Sequence, residues 1–508
     1  MMPPSTKPVT CFGPDFPFAY DDWLSHPAGL GSVPVAQHGS RVAIIGAGAA
    51  GIVAGYELMR MGLHPVLFEA GQLGGRLRSQ AFEGTSDAIA ELGGMRFPSS
   101  GTGFNHYVNL LGVQSRPFPN PLTGAAGSTV IDLEGKSYYA ERLQDLPAVF
   151  QQVAQAYGRA LEQGAHLAEL KAAIRARDAT LIKQLWNPLV REWDERSFYD
   201  FLMSSKAFKD LTFRHREIFG QVGFGTGGWD SDFSNSMLEI LRVNATECDE
   251  DQHFMVGGVE QVPQGLWRHA ADRISHWGPG TTLASLNRGS TRPAARRIFR
   301  NDAGTLSVTD QWGHTEAFDA LLVTCQSHLL TTGIDTDEQL LSQHVWMAMD
   351  RTRYMQSSKT FVMVDRPFWK DKDPRSGRDV MSMTLTDRIT RGTYLFDLGP
   401  GKPGVMCLTY SWMTDALKML PLPIERRVEL ALSTLEKIYP HVDIRAHIIG
   451  DPITVSWEAD ANFLGAFKGA LPGHYRYNHR MFSHFMQSEF TAGQRGIFLA
   501  GDDIGWTP

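Results

Sequence analysis

The sequence predicts a protein of mixed α/β and α+β class: a Rossmann-like dinucleotide-binding domain, a mixed-sheet domain and a mainly helical insertion. Three observations carry that reading. Residues 42–45, a glycine-rich turn, an apolar helix to about Met61 and a second strand over 65–69 make one βαβ unit of roughly 30 residues. Residues 140–220 are rich in Ala, Leu, Gln, Glu and Arg, with apolar side chains at helical spacing. From about residue 253, β-rich stretches alternate with turns, as meandering strands do.

Taken in order, residues 1–38 hold many prolines and glycines without periodicity and read as an N-terminal arm. The run over 42–45 is short and β-branched, as a buried strand is. LPAVFQQVAQAYGRALEQ and HLAELKAAIRARDATLIKQLW predict helices, and PIERRVELALSTLEKIYP predicts another, stopped by Pro440. FRNDAGTLSVTDQWGHTEAFDALLVTC predicts a meander, and GIFLAGDDIGWTP a strand ending in a glycine-aspartate turn.

Composition narrows the function classes. The 508 residues suffice for two to four domains at about 150 each. An apolar fraction of 43% with 20% charge excludes wholesale disorder. A net charge of -7 argues against a nucleic-acid partner. Cys11, Cys248, Cys325 and Cys407 are far apart and form no CxxC pair, so neither a structural metal site nor a disulfide scaffold is expected. No apolar leader and no run of 18 or more apolar residues is present, so a cytoplasmic protein without a membrane partner is expected.

The turn after the first strand reads Gly46-Ala47-Gly48-Ala49-Ala50-Gly51. Gly46 permits the tight turn, Gly48 lets the backbone approach a pyrophosphate, and Gly51 lets helix and strand pack closely. The helix start, at Ala49 and Ala50, offers unpaired N–H groups and a positive dipole to phosphates. Glu69, followed by Ala70, ends the next strand, where an acid accepts the hydroxyls of an adenosine ribose.

Five residues on comes Gly74-Gly75-Arg76-Leu77-Arg78, and together these segments resemble the flavin-containing amine oxidase family. The resemblance implies FAD as cofactor and a glutathione-reductase-type FAD-binding fold. It continues in the family's order through residues 91–97, 257–263, 320–324, 358–360 and 501–503. It implies cofactor contacts at Gly75, Arg76, Gly93, Gly94, Met95, Arg96, Val256, Gly501, Asp502 and Trp506. Arg76 would help hold the pyrophosphate and flavin, unless it is a surface loop arginine. Asp502 would contact the ribitol chain. In the family the closing motif opens a final helix followed by further residues, so the stop at Pro508 implies either a shortened chain or a sequence cut short of the protein's end.

Texture and resemblance divide the chain into an arm (1–38), an FAD-binding domain (39–100, 245–330 and 450–508), a substrate-binding domain (101–135 and 331–449) and a helical domain (136–244). Within the family, Arg96 resembles the arginine of the L-amino-acid branch that holds the substrate carboxylate; a structural arginine paired to a protein acid is the alternative. Tyr410, Trp412, Trp457 and Trp506 resemble aromatic residues facing the flavin, of which Trp412 and Trp457 could flank the substrate. Lys359 resembles the family's lysine near flavin N5, with a role in positioning water and tuning the reaction with O₂.

Residues 229–254 resemble the bacterial amino-acid monooxygenases, most of all the L-lysine 2-monooxygenase group. Asp232 would hold a distal ammonium, or else cap a helix from about Ser234. Cys248 and Phe254 would line the side-chain end of the pocket. The acidic run 247–251 reads as solvated surface. The implied activity is oxidative decarboxylation of L-lysine by O₂ to 5-aminopentanamide, with an oxidase side reaction giving keto acid, ammonia and peroxide. Tryptophan or phenylalanine 2-monooxygenase is the alternative, a non-catalytic FAD-bound scaffold the rival of another class, and an NAD dehydrogenase a distant third. The resemblance also implies a homodimer.

Overall fold

The structure is a computed structural model, and it describes residues 21–222 and 232–505. A four-stranded parallel sheet runs in the order His64–Phe68, Arg41–Ile45, Ala320–Val323, Ile497–Leu499. Alternation along the strands serves two cores, because successive side chains point to opposite faces. Ile44 and Leu67 pack with Ile52, Tyr56 and Met59 of the helix Ala49–Arg60. Ala43, Ile45, Val66 and Phe68 pack on the other face with Ile298, Val308 and Phe318. Those last three belong to an antiparallel meander of Ala295–Arg300, Leu306–Asp310 and Thr315–Phe318. Both faces of the parallel sheet are therefore covered, which is why its strands are apolar throughout.

A seven-stranded mixed sheet runs Ile448–Ser456, Ser357–Val364, Gly404–Trp412, Gly392–Asp397, Met383–Thr386, Thr129–Leu133, Lys136–Ala140. Its pairs are antiparallel except that of Met383–Thr386 with Thr129–Leu133. Val362 and Val364 pack with Leu432 and Leu435 of the helix Ile424–Ile438, whereas Phe361 and Met363 join the core shared with the helical part. Register sets Lys359 between Tyr410 and Val455.

The helical part comprises Ala148–Ala165, Leu167–Ala176, Ala179–Trp193, Phe198–Ser204, Phe213–Val222 and Met237–Ala245, around a core with Phe150, Trp186, Phe198 and Phe219. The stretch read as its second helix is split in two. Arg177 takes φ 53 in the left-handed region, and the Asp178 side chain caps the next helix by accepting from Leu181 N. The proposed cap at Asp232 is also overturned: the helix begins at Met237, and the Ser236 hydroxyl accepts from Leu238 N. The strand Gln252–Met255 pairs with both Phe97–Pro98 and Ser115–Pro117, and so fixes the segment after Gly93 beside the loop that ends the helical part. Among the described residues no helix is long and apolar enough to cross a membrane, and no group of three or more His, Cys, Asp and Glu could hold a metal.

Candidate active site

A continuous cavity of about 2050 Å³ runs between the parallel sheet, the mixed sheet and the helical part. Its volume exceeds the roughly 300–1,000 Å³ of an ordinary ligand pocket, which suits a dinucleotide and a substrate together.

One end is the phosphate turn. Gly46 has φ 107, a left-handed conformation that favours glycine. Gly51 does not line the cavity; a Cβ there would lie 2.0 Å from the Gly46 carbonyl oxygen. Gly46, Gly48, Ala49 and Ala50 face the cavity, with Gly48 at the helix N-cap. Glu69 and Ala70 lie beside them. The Glu69 carboxylate accepts from Ala47 N and Gly71 N, each at 2.7 Å, and burial raises its pKa against the pull of those bonds. A carboxylate offers about four lone-pair positions, so acceptors remain for ribose hydroxyls.

Gly75, Arg76, Gly93, Gly94, Met95, Gly501 and Asp502 continue the wall. Arg76 is no surface arginine: it is 22% exposed and pairs with Asp502 through both guanidinium nitrogens, Nη1 donating to Oδ2 at 2.7 Å. Nη1 also donates to the Ala466 carbonyl at 2.8 Å. Burial alone would raise the Asp502 pKa, but Arg76 holds it below the usual range. Val256 stands apart from the large cavity, lining with Phe254 a separate one of about 50 Å³. Trp506 lies outside the described residues. The residues present fit FAD: an acid at the ribose position, open backbone at the pyrophosphate turn and a continuous glycine-rich wall beyond it.

The other end holds Arg96. Its Nη1 donates to Asn120 Oδ1 at 2.7 Å, and its guanidinium lies 5.2 Å over the Phe118 ring. Among the described residues no carboxylate comes within ion-pair distance of it, which argues against a structural pair. Burial lowers its pKa, and Tyr394, Tyr410 and Asp249 together outweigh that and raise it. Asn120 is itself held by Gln252, Nδ2 donating to Oε1 at 3.0 Å, and Gln252 Nε2 donates to the Cys248 carbonyl at 2.8 Å.

Tyr410, Trp412 and Trp457 line the cavity, Tyr410 close enough to Arg96 to act on its charge. Trp412 stands edge-on to Tyr410 at 5.4 Å and to Phe467 at 5.6 Å, and Trp457 Nε1 donates to the Leu92 carbonyl at 3.2 Å. Lys359 Nζ donates to the carbonyls of Glu91 at 3.1 Å and Gly93 at 2.5 Å. Burial lowers its pKa to about 8. Asp232, 6% exposed, and Cys248 also line the cavity. Burial pushes the Cys248 thiol pKa up. Phe254 does not line it, but packs against Phe396 at 5.5 Å and Phe118 at 6.4 Å.

The acidic run needs a correction. Glu250 is exposed and pairs with Lys171, as a solvated run does, while Glu247 lines the cavity paired with Lys171 and Arg175. Asp249 instead turns inward onto the cavity wall, its Oδ2 buried. Sequence reasoning also missed Asn120, Gln252 and Tyr394; Asn120 and Tyr394 lie in no motif, Gln252 was not singled out within the stretch 229–254, and the strand pairing of Gln252–Met255 brings the first two beside Arg96.

The family model described as flavin containing amine oxidoreductase matches residues 49–507. The chain is 30% identical to tryptophan 2-monooxygenase of Pseudomonas savastanoi, over 93% of this chain and 87% of that protein. It is 23% identical to an L-amino-acid oxidase of Mus musculus, over 84% and 62% of the two chains. Among solved structures it is similar to wild-type putrescine oxidase bound to putrescine, with a TM-score of 0.65 at 16% identity over 92% and 95% of the chains. Cyclohexylamine oxidase from Brevibacterium oxydans IH-35A gives a TM-score of 0.64 at 15% identity, over 92% and 94%.

Proposed function

Because the chain belongs to the flavin-containing amine oxidoreductase family and its cofactor is FAD, we propose that it is an L-amino-acid 2-monooxygenase, converting the amino acid and O₂ to the amide, CO₂ and water. The observation that carries this reading is Arg96, a buried guanidinium on the cavity wall with no carboxylate at ion-pair distance among the described residues. A planar fork of donors suits a carboxylate, and simple amines have none to offer.

Bound FAD supplies the hydride acceptor and the route for electrons to O₂. The chain's own residues do the positioning. Gly46, Gly48, Ala49, Ala50, Glu69 and Arg76 would hold the dinucleotide, with Asp502 bracing Arg76. Arg96, held by Asn120, fixes the substrate carboxylate and so the direction of the Cα–H bond. Tyr410, Trp412 and Trp457 enclose the substrate and limit water. Retention of the imino acid in that enclosure favours decarboxylation over its release and hydrolysis. Lys359, tied to two backbone carbonyls, is placed to hold a water and a positive charge near the reacting centre.

An aromatic side chain, tryptophan foremost, is the leading substrate reading, supported by the tryptophan 2-monooxygenase relatives and by the edge-on Tyr410, Trp412 and Phe467 rings. Asp232 favours a second reading, L-lysine going to 5-aminopentanamide, because a buried acid on a cavity wall suits a cationic side chain. Aerobic incubation with L-tryptophan, L-phenylalanine and L-lysine in parallel, measuring CO₂, amide and peroxide, tests both. Amide and CO₂ formed from one of them without matching peroxide is the expected result. Keto acid and peroxide alone would make the protein an oxidase, and no bleaching of the flavin under anaerobic conditions by any of them would make it a non-catalytic flavoprotein.

A further inference from the structure

We propose that Asp249 is the second pole of the substrate head-group site: its carboxylate receives the α-ammonium of the amino acid whose carboxylate sits on Arg96, and accepts the proton the amine must lose. The proposal rests on the amino-acid reading of Arg96 and extends it to the other half of the zwitterion.

The geometry separates Asp249 from its acidic neighbours. Glu247, although it too lines the cavity, and Glu250 are satisfied by Lys171 and Arg175. Asp249 Oδ2 is buried, faces the cavity and has no hydrogen-bond partner among the described residues. A buried polar oxygen left unpaired is costly, and at a cavity wall the missing partner is most simply a ligand. Arg96 and Asp249 feel each other's charge, yet they stand beyond ion-pair distance.

They are also kept apart. Asn120 and Phe118 hold the guanidinium, and Gln252 holds Asn120. The same Gln252 amide donates to the carbonyl of Cys248, the residue before Asp249. Cys248 N bonds back to Val243 and Glu250 N to Glu247, so the turn carrying Asp249 is fixed at both ends. A cation and an anion braced by one network, both on the cavity wall, match a zwitterion that brings one charge for each.

The groups facing Asp249 set its proton affinity. Arg96 pulls it down, Glu250 pushes it up, and Tyr394, Tyr157 and Cys248 from the mixed sheet, the helical part and its own turn interact with it as neutral groups. Burial dominates and lifts its pKa to about 7, close to where a proton acceptor works best at neutral pH. In the step itself one N–H bond of the α-ammonium breaks and an O–H bond forms on Asp249. The nitrogen keeps its electron pair, which then forms the C=N bond as the α-hydrogen leaves as hydride, for which bound FAD would be the two-electron acceptor.

The test uses the FAD-loaded enzyme and its Asp249→Asn variant. Two measurements are made: binding of 3-indolepropionate and 6-aminohexanoate, which carry the carboxylate without an α-amine, and kcat/KM against pH for L-tryptophan and L-lysine. In wild type kcat/KM falls below about pH 7, since a base must be deprotonated to act. The variant is expected to bind the desamino acids as tightly as wild type or tighter. It should lose about 100-fold or more in kcat/KM on the amino acid that wild type turns over, and lose the acidic limb of the pH profile. Weakened binding of 6-aminohexanoate with binding of 3-indolepropionate unchanged would assign Asp249 to the side-chain end and overturn the proposal. Equal losses for amino acids and desamino acids would make Asp249 structural and overturn it as well. Wild type failing to bind either desamino acid would instead overturn the Arg96 reading, and the pairing with it.

Discussion

At the scale of single residues the site turns on how buried charges are compensated. Removing a guanidinium's partner inside a protein is expensive, so an arginine kept without a carboxylate has its energy reserved for something that arrives later. Arg96 is in that position, steadied by a neutral amide and an aromatic face. Arg76 is not: its charge is already met by Asp502. The two arginines therefore predict different phenotypes. Arg96→Leu keeps bound flavin visible, because no cofactor-cradling pair is touched, while substrate affinity drops by about 2–5 kcal/mol, the cost of truncating one side of a buried charged contact. Titration with a desamino carboxylate, read beside the flavin spectrum, checks it; colourless apoprotein would make Arg96 a cofactor or structural residue instead.

At the scale of elements, the first βαβ unit is the part most legible from sequence, because each of its requirements falls on a residue close by in the chain. Gly51 shows it. An added methyl there would meet the Gly46 carbonyl at 2.0 Å, whereas at Gly48 the nearest atom is the Gly74 carbonyl at 3.9 Å. Gly51→Ala should destabilise the turn by about 1–3 kcal/mol, as overpacking does, and lower the melting temperature of the apoprotein. Gly48→Ala should leave that temperature near wild type and weaken FAD binding, since its methyl points into the space left for phosphates. Thermal melts with and without FAD separate the two; identical effects would remove the distinction between a packing glycine and a ligand-facing one. Elements whose boundaries depend on competing local signals were less legible. The break at Arg177 sits inside a continuous helical pattern, and Ser236 took the cap assigned to Asp232 because it stands directly before the first helical residue. Asp249 was misread for a longer-range reason: its charge run looks solvated until the turn after Ala245 folds beneath Arg96.

At the scale of the molecule, the cavity wall is assembled from segments that span residues 21 to 502, so closure depends on contacts no local motif encodes. The order of the motifs was visible in the sequence, since each dinucleotide contact needs its own short signature; the partners that join them were not. Arg76 and Asp502, each expected on the cofactor and each on the cavity wall, also grip one another, tying the first βαβ unit to the end of the last parallel strand. Lys468 N donates to the same carboxylate at 3.2 Å, adding the segment after the mixed sheet to the joint. The sign of its pH dependence follows from the shift. Burial raises the Asp502 pKa, Arg76 with the backbone bond from Lys468 lowers it by more, and the net value is depressed. The stabilisation is thus present above the ordinary carboxylate pKa of about 3.9 and is lost as pH falls through the lower folded value. Asp502→Asn removes it at every pH and leaves Arg76 without its counter-charge. The variant should melt below wild type at neutral pH, with the gap narrowing on acidification. FAD should also raise its melting temperature less, because a cofactor stabilises in proportion to the logarithm of its concentration over Kd. Differential scanning between pH 3 and 7, with FAD titrated at each end, reads both effects; a gap that stays constant with pH would mean that the joint is held by shape and not by charge.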